Sequence, residues 1–224
     1  MLKHSEMIDA IVKLEWPMFH TVNGEDHTAC QEDPVTFDAM RRAQFSAWSQ
    51  EAVAAYLRDV EQAQAEGRNL VREKYIRMME TTDPEGYAAF RQELPPVSEE
   101  KRSLVAAIWE KLLLQTEKFR DAYPGLAMGS RPLRAGDDGE SGGWASIETY
   151  QVGELMTYSE ETLRALLAHL DALQARGIDL AREIQFNSVK CLGYASLEEA
   201  DTAISFQLLQ QYGNGCPSCG PVQM

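Results

Sequence analysis

Apolar side chains recur along this chain every three or four residues, the spacing that places them on one face of an α-helix. No alternation of apolar and polar residues long enough for a strand competes with that pattern. The spacing predicts helices near residues 5–20, 36–47, 50–66, 69–80, 84–92, 98–122, 146–157, 160–176, 178–190 and 196–211. Turn residues, among them Pro95-Pro96 and Pro124-Gly125, predict the breaks between them. The predicted fold is an all-α helical bundle.

A repeat with an offset of 110 residues connects the two halves of the sequence. Between positions 49 and 74, ten residues are identical to those 110 positions later, including the pairs Ser49/Ser159 and Gly67/Gly177. Positions 8, 12, 14 and 19 resemble those 100 positions later. We therefore predict a duplication: one all-α domain over residues 1–210, built from pseudo-repeated halves (about 5–92 and 98–210) packed face to face. Residues 211–224 are expected to form a flexible tail containing Gly and Cys.

Polar residues occupy positions on the apolar faces of the first two helices of each predicted half. They are Glu15, Arg41, Gln44, Gln115, Gln151 and Glu154. A buried charge without a partner costs several kcal/mol, so these groups must either satisfy one another or line a polar cavity. The first alternative is a structural network that fixes the packing of the halves. The second, which clustered ionisable groups favour, is a binding or catalytic pocket.

Two cations on the fourth helix support the pocket interpretation. Lys74 and Arg77 lie on one side of that helix, whereas the matching position in the second half carries Ile184 in place of Lys74. Together with Arg41, whose guanidinium offers a bidentate fork, they would suit a small anionic or zwitterionic ligand. Tyr150 is expected to add a hydrogen-bonding wall to this pocket.

Charge and segment composition exclude several classes of protein. The 224 residues carry 21 Lys+Arg and 35 Asp+Glu, giving a net charge of −14, which opposes binding to nucleic acid. No apolar run approaches the roughly 18 residues of a membrane-spanning helix, and the N-terminus lacks the pattern of a secretory signal. The sequence therefore predicts a cytoplasmic protein with no nucleic-acid or membrane partner, and it does not indicate an oligomeric state.

Metal and nucleophile motifs are weak. No Glu-x-x-His pair, P-loop or GxSxG motif occurs. His27 and Cys30 provide only two local metal ligands, and Cys30 is a minor candidate nucleophile. Cys216 and Cys219 form a CxxC with no second pair, so a metal or redox role competes with a mobile end that contains two thiols. We predict no metal ligand set and cannot name a cofactor from these residues.

Several longer motifs resemble the bacterial family of unknown function DUF4125. They are Glu15-Trp-x-Met-Phe19, Ala29-Cys-Gln-x-Asp33, Thr36-Phe-x-x-Met-Arg-x-x-Gln-Phe-x-x-Trp48, the segment from Gly67 to Glu80, and Glu148-Thr-Tyr-x-x-Gly-Glu-Leu-x-Thr-Tyr-Ser159. The resemblance covers roughly residues 8–200. It implies no activity, but it adds weight to motif positions as site residues: Glu15, Cys30, Gln31, Arg41, Gln44, Glu73, Lys74, Arg77, Tyr150 and Glu154.

The leading functional hypothesis is an enzyme that acts on a small polar, carboxylate-bearing metabolite between the halves. Glu15 or Glu154 would serve as general base, with Tyr150 as the third candidate catalytic residue. The candidate ligand-binding residues are Arg41, Gln44, Glu73, Lys74, Arg77, Gln151, Cys30 and Gln31. One alternative is a non-catalytic helical module that binds a small molecule or a protein. A third is a metal-dependent enzyme with Glu15, Glu73, Glu154 and His27 as ligands.

Overall fold

A computed structural model describes residues 2–22, 29–128, 130–134, 136 and 145–213. These contain eleven α-helices: α1 His4–His20, α2 Pro34–Ser46, α3 Gln50–Ala65, α4 Leu70–Thr82, α5 Pro84–Phe90, α6 Glu99–Ala122, α7 Pro124–Met128, α8 Ile147–Leu155, α9 Glu160–Ala175, α10 Leu180–Cys191 and α11 Leu197–Gly213. No strand occurs in these ranges, so the all-α prediction is confirmed. None of their helices is long and apolar enough to cross a bilayer. The predicted tail lies beyond the described residues from 214 onward.

The ends of α3 and α9 are fixed by the same local chemistry. The Oγ of Ser49 accepts a hydrogen bond from the third residue of α3 at 3.2 Å, and Ser159 caps α9 in the same way at 3.1 Å. Both helices stop at a glycine in the left-handed region, Gly67 with φ +70° and Gly177 with φ +69°. The two helices thus keep the 110-residue spacing of the sequence. The duplication itself stays a prediction, which superposition of the halves would test.

One apolar core joins both halves of the chain. α3 and α9 lie against each other at its centre, with α1 packed on α3 and α6 packed on α9. Two further pairs cross between the halves, because α2 packs on α10 and α4 packs on α8. Ile11, Phe45, Val60, Ile108 and Leu163 are fully enclosed in this core. The polar residues of the crossing helices therefore lie beside an interior that excludes water.

The short helical segments were not all predicted. Pro124-Gly125 does not only break the chain: it begins α7, since proline is well suited to the first turn of a helix. α7 packs on α11, and the backbone N–H of Leu126 donates to Asp201 at 2.8 Å. Two 3₁₀ turns, Ala29–Glu32 and Arg91–Glu93, were also missed, because a single turn carries no periodic signal.

A glycine allows α8 to lie directly on α4. A Cβ atom built on Gly153 would be 2.9 Å from the Met78 Cγ and 3.3 Å from the Lys74 carbonyl oxygen. Any larger residue would push the two helices apart. This close approach brings Glu154, the next residue on α8, to the side chain of Lys74.

Candidate ligand site in the polar seam

Glu15 and Arg41 form the first part of a buried ionic network. α1 supplies Glu15 and α2 supplies Arg41, each from the apolar face of its helix. The Arg41 guanidinium donates two hydrogen bonds to the Glu15 carboxylate, from Nε to Oε2 at 2.7 Å and from Nη2 to Oε1 at 2.6 Å. The Tyr56 hydroxyl, from α3, donates to the same Oε1 at 2.5 Å. Both Glu15 oxygens are therefore satisfied by groups of the first half of the chain.

The same guanidinium continues the network into the second half. Arg41 Nη1 donates to Oε1 of Glu154 at 2.8 Å and to the Gln44 side-chain oxygen at 2.9 Å. Lys74 Nζ donates to Oε2 of Glu154 at 2.7 Å, and the Tyr158 hydroxyl donates to Oε1 at 2.8 Å. The charges alternate in sign along Glu15, Arg41, Glu154 and Lys74. These two carboxylates and two cations form a chain whose charges sum to zero. We call these four side chains the seam network.

Burial and pairing set the protonation states of this network. Burial opposes ionisation of Glu154, but Lys74 and Arg41 outweigh it and hold the pKa of Glu154 well below its ordinary value. Burial also opposes the charge of Arg41, yet Glu15 and Glu154 raise its pKa well above the usual range. Burial and the nearby carboxylates raise the pKa values of Tyr56 and Tyr158. The Glu154 carboxylate is therefore ionised, and Arg41 is charged. The hydroxyl groups of Tyr56 and Tyr158 are protonated and act as donors.

A cavity of about 280 Å³, the seam cavity, opens onto this network. Apolar side chains form much of its wall: Phe19, Phe37, Met40, Leu70, Val71 and Ile184. Met40 is 63% exposed and marks the mouth of the cavity. The network lines the polar part of the wall. The cavity therefore has the mixed lining that is typical of small-molecule sites.

Polar groups outside the network complete the wall. The side chains of Gln151 and Gln185 line the cavity and make no hydrogen bond within the described residues. The Tyr150 hydroxyl likewise has no hydrogen-bond partner there, while its ring lies under the Lys74 ammonium, 3.3 Å from Nζ to the ring centroid. Since amides and phenols both donate and accept, these groups can bind a polar ligand without breaking an ion pair.

Comparison with known proteins places the sequence in a family. A sequence model described as "Protein of unknown function (DUF4125)" matches residues 5–202, most of the chain. The chain belongs to the DUF4125 family. No curated protein and no solved structure matches it. The resemblance seen in the motifs is thereby confirmed.

The cavity of this DUF4125 protein brings together most of the site residues predicted from sequence. They are Glu15, Arg41, Gln44, Lys74, Tyr150, Gln151 and Glu154. Gln115, also predicted to point inward, is buried elsewhere, and its side-chain oxygen accepts from the Ala181 backbone N–H at 3.2 Å near the start of α10. Glu15 therefore belongs to the network, whereas Gln115, at the matching position of the second half, binds the start of α10.

Three predicted ligand-binding residues lie away from this cavity. The buried Glu73 carboxylate is forked by Arg68, with Nε to Oε1 at 2.7 Å. Arg77 was expected beside Lys74 but lines a different cavity, because α8 packs on α4 between the two side chains. Gln31 is buried and its amide donates to the Phe19 carbonyl at 3.0 Å. The side chain of Cys30, like His27, lies outside the described residues.

Tyr56 was missed by the sequence reasoning, although it completes the shell of Glu15. Its position on the apolar face of α3 predicts a core residue, and no signal in the sequence indicates that its hydroxyl would bind Glu15. The proposed metal ligands do not converge in the described part of the DUF4125 chain. Its described residues contain no group of three or more His, Cys, Asp or Glu side chains that could hold an ion.

Proposed function

We propose that this DUF4125 protein binds a small, net-neutral amphipathic molecule in the cavity of the polar seam. One observation carries the proposal: the four charged groups of the wall neutralise one another, whereas Gln151, Gln185 and the Tyr150 hydroxyl have no hydrogen-bond partner in the described residues. The groups available to a ligand are therefore uncharged donors and acceptors. The apolar wall would take the body of the ligand and these groups its polar head.

The dimensions limit the size of the ligand. Ligand pockets commonly enclose about 300–1,000 Å³, so a cavity of about 280 Å³ suits a molecule of amino-acid size. Phe37 and Ile184, which both line the cavity, come from α2 and α10, which belong to different halves of the chain. A ligand there would contact both halves at once.

A net-charged ligand is disfavoured by the existing pairing. A lone carboxylate would have to displace Glu154 from Lys74 or Glu15 from Arg41, which leaves a buried glutamate without its cation. Breaking one partner from a buried pair costs about 3–5 kcal/mol. A zwitterion brings both signs and avoids this penalty. The carboxylate-bearing metabolite of the sequence hypothesis fits the cavity in its zwitterionic form.

The network favours binding over catalysis by the predicted bases. A general base needs a free lone pair and a pKa near the working pH. Glu154 accepts from Arg41, Lys74 and Tyr158 and its pKa is depressed, while Glu15 is held by the Arg41 fork. We therefore favour the non-catalytic small-molecule module over the enzyme hypothesis.

Thermal unfolding with a matched ligand panel tests the proposal. Leucine, 4-methylpentanoate and 3-methylbutylamine share one apolar body and present a zwitterion, an anion and a cation. We expect the net-neutral leucine to raise the melting temperature, with a stabilisation of about 2.7 kcal/mol when its concentration is 100 times Kd. The charged analogues should give smaller shifts. The proposal would be contradicted if no compound of the panel raised the melting temperature, or if the zwitterion, the anion and the cation raised it equally.

A pair of glutamine variants locates the effect. Gln151→Leu removes an unpartnered amide of the cavity wall, and Gln64→Leu removes an exposed amide on the outer side of α3. We expect the ligand-induced shift to fall in Gln151→Leu and to persist in Gln64→Leu. Equal shifts in both variants would place the ligand elsewhere.

A further inference from the structure

A second cavity lies on the other side of α4 and α8. It encloses about 520 Å³ between these helices, the segment 94–97 and α6. Residues 148, 149, 152 and 153 of α8, with residue 156 just after it, line this second cavity. Residues 150, 151 and 154 of α8, with residue 157, line the seam cavity. The two cavities are thus separated by the contact of α8 with α4. None of the groups of the seam network lines the second one.

Arg77 is incompletely satisfied in this second cavity. Its Nη2 donates to the Pro95 carbonyl at 3.2 Å, but its Nε is buried and has no hydrogen-bond partner among the described residues. Leaving a buried donor unpaired costs about 1–3 kcal/mol, so such a group calls for an explanation. Burial also lowers the pKa of Arg77, despite the nearby Glu73, Tyr87 and Glu80. Its charge lacks sufficient compensation from the protein.

Two more guanidinium groups line the same cavity. Arg91 follows α5 and Arg102 lies in the second turn of α6; neither they nor Arg77 form an ion pair in the described parts of the chain. By contrast, Arg72 and Arg164 each pair with a glutamate, as most arginines of this acidic protein do. Three unpaired guanidinium groups that face one space mark a cationic spot on a chain of net charge −14.

Carboxylates only partly offset this charge. Glu80 and Glu148 also line the cavity, and Glu148 accepts from the Trp109 indole N–H at 3.1 Å. Three cations and two carboxylates leave one positive charge among the lining residues. The described lining therefore carries a small excess of positive charge.

We propose that this cavity binds a phosphate monoester, with Arg77, Arg91 and Arg102 gathered around the phosphate. Arginine is suited to this role because its planar fork donates two parallel hydrogen bonds to an oxyanion. Nη1 of Arg77 makes no hydrogen bond within the described residues and, unlike the buried Nε, is accessible, so it can donate to a ligand. Tyr87 and the Pro95-Pro96 segment provide an apolar wall for the organic part. A monoester presents three strong acceptor oxygens, enough to accept from all three guanidinium groups at once, whereas a carboxylate presents two.

Calorimetric titration at constant ionic strength tests this site. The probes are phenyl phosphate, inorganic phosphate and benzoate, with sodium chloride adjusted so that salt does not vary. We expect phenyl phosphate to bind one to one and more tightly than inorganic phosphate, and benzoate to bind at least tenfold more weakly. Equal affinity for phenyl phosphate and inorganic phosphate would overturn the assignment of a monoester. No binding, or tighter binding of benzoate, would overturn the proposal.

Charge-removal variants identify the residues responsible. Arg102→Gln alters an exposed side chain of the cavity and should leave folding intact, while Arg164→Gln removes an exposed arginine that pairs with Glu100 and Glu160. We expect phenyl phosphate binding to weaken at least tenfold in Arg102→Gln and Arg77→Gln and to be unchanged in Arg164→Gln. Equal weakening in all three would show only a general charge effect and refute the site. Gln151→Leu should keep phosphate binding, so the two proposed sites succeed or fail separately.

Discussion

Replacing Arg41 by methionine should destabilise the fold far more than removal of an ordinary surface arginine. Arg41 makes four hydrogen bonds, two to Glu15 and one each to Gln44 and Glu154. Methionine fills the space of the aliphatic stem, so the loss is mainly electrostatic. Glu154 would keep Lys74 and Tyr158 as partners. Glu15 would keep only the Tyr56 hydroxyl.

The expected magnitude follows from burial. The side chain of Glu15 is 4% exposed and that of Glu154 is 9% exposed, so water cannot replace the guanidinium. Removing one partner of such a pair costs about 3–5 kcal/mol. Arg42, the next residue, offers a matched control: its side chain is 40% exposed and it pairs with Asp9 and Asp38. Exposed pairs are worth about 0–1 kcal/mol, and Arg42→Met should cost no more than that.

Urea unfolding of both variants at pH 7.5 measures the difference. Lys74 and Arg41 are the two cations that depress the pKa of Glu154, so loss of Arg41 removes part of the free energy that favours the ionised form of Glu154. That contribution is present above the unfolded value near 4.5 and is lost as the pH falls. A cost below about 1 kcal/mol at pH 7.5, or one equal to that of Arg42→Met, would refute a tightly coupled buried network.

Three further changes test other parts of the account. Tyr56→Phe removes one donor to Glu15 and should lower the free energy of unfolding by about 1–3 kcal/mol in urea titration, whereas no loss would show that the hydrogen bond is unimportant. Gly153→Ala places a methyl group 2.9 Å from Met78 and should cost about 1–3 kcal/mol; unchanged stability would show that α4 and α8 separate easily. The depressed pKa of Glu154 stabilises the fold above its unfolded value near 4.5, and this contribution is lost as the pH falls through the folded pKa. The stability difference between the wild type and Glu154→Gln should therefore narrow below pH 4.5, and a constant difference would contradict the pairing.

The sequence predicts the fold and much of the seam because both depend on local periodicity. Glu15, Arg41 and Glu154 were found from their positions on apolar stripes, which fix the direction of a helical side chain relative to the core. The caps Ser49 and Ser159 follow from chemistry within a few residues of each helix start. In each case the decisive information lies within one helix.

Features that depend on packing between helices were not accessible. Lys74 and Arg77 are three residues apart on α4, so periodicity assigns them to similar directions, yet α8 lies between the spaces they enter. The sequence also did not reveal that Arg41 and Lys74 together would neutralise both glutamates, which turns a candidate anion site into one with balanced charge. That balance depends on distances set by four different helices.

The seam cavity is proposed to take a net-neutral small molecule. Calorimetric titration of the net-neutral panel member, leucine, into the wild type and into Ile184→Trp tests this directly, because the larger side chain fills space at the cavity wall while every residue of the ionic network is kept. We predict one-to-one binding to the wild type and at least a tenfold loss of affinity in Ile184→Trp, with the urea midpoint little changed. Equal affinity for both proteins would contradict the claim.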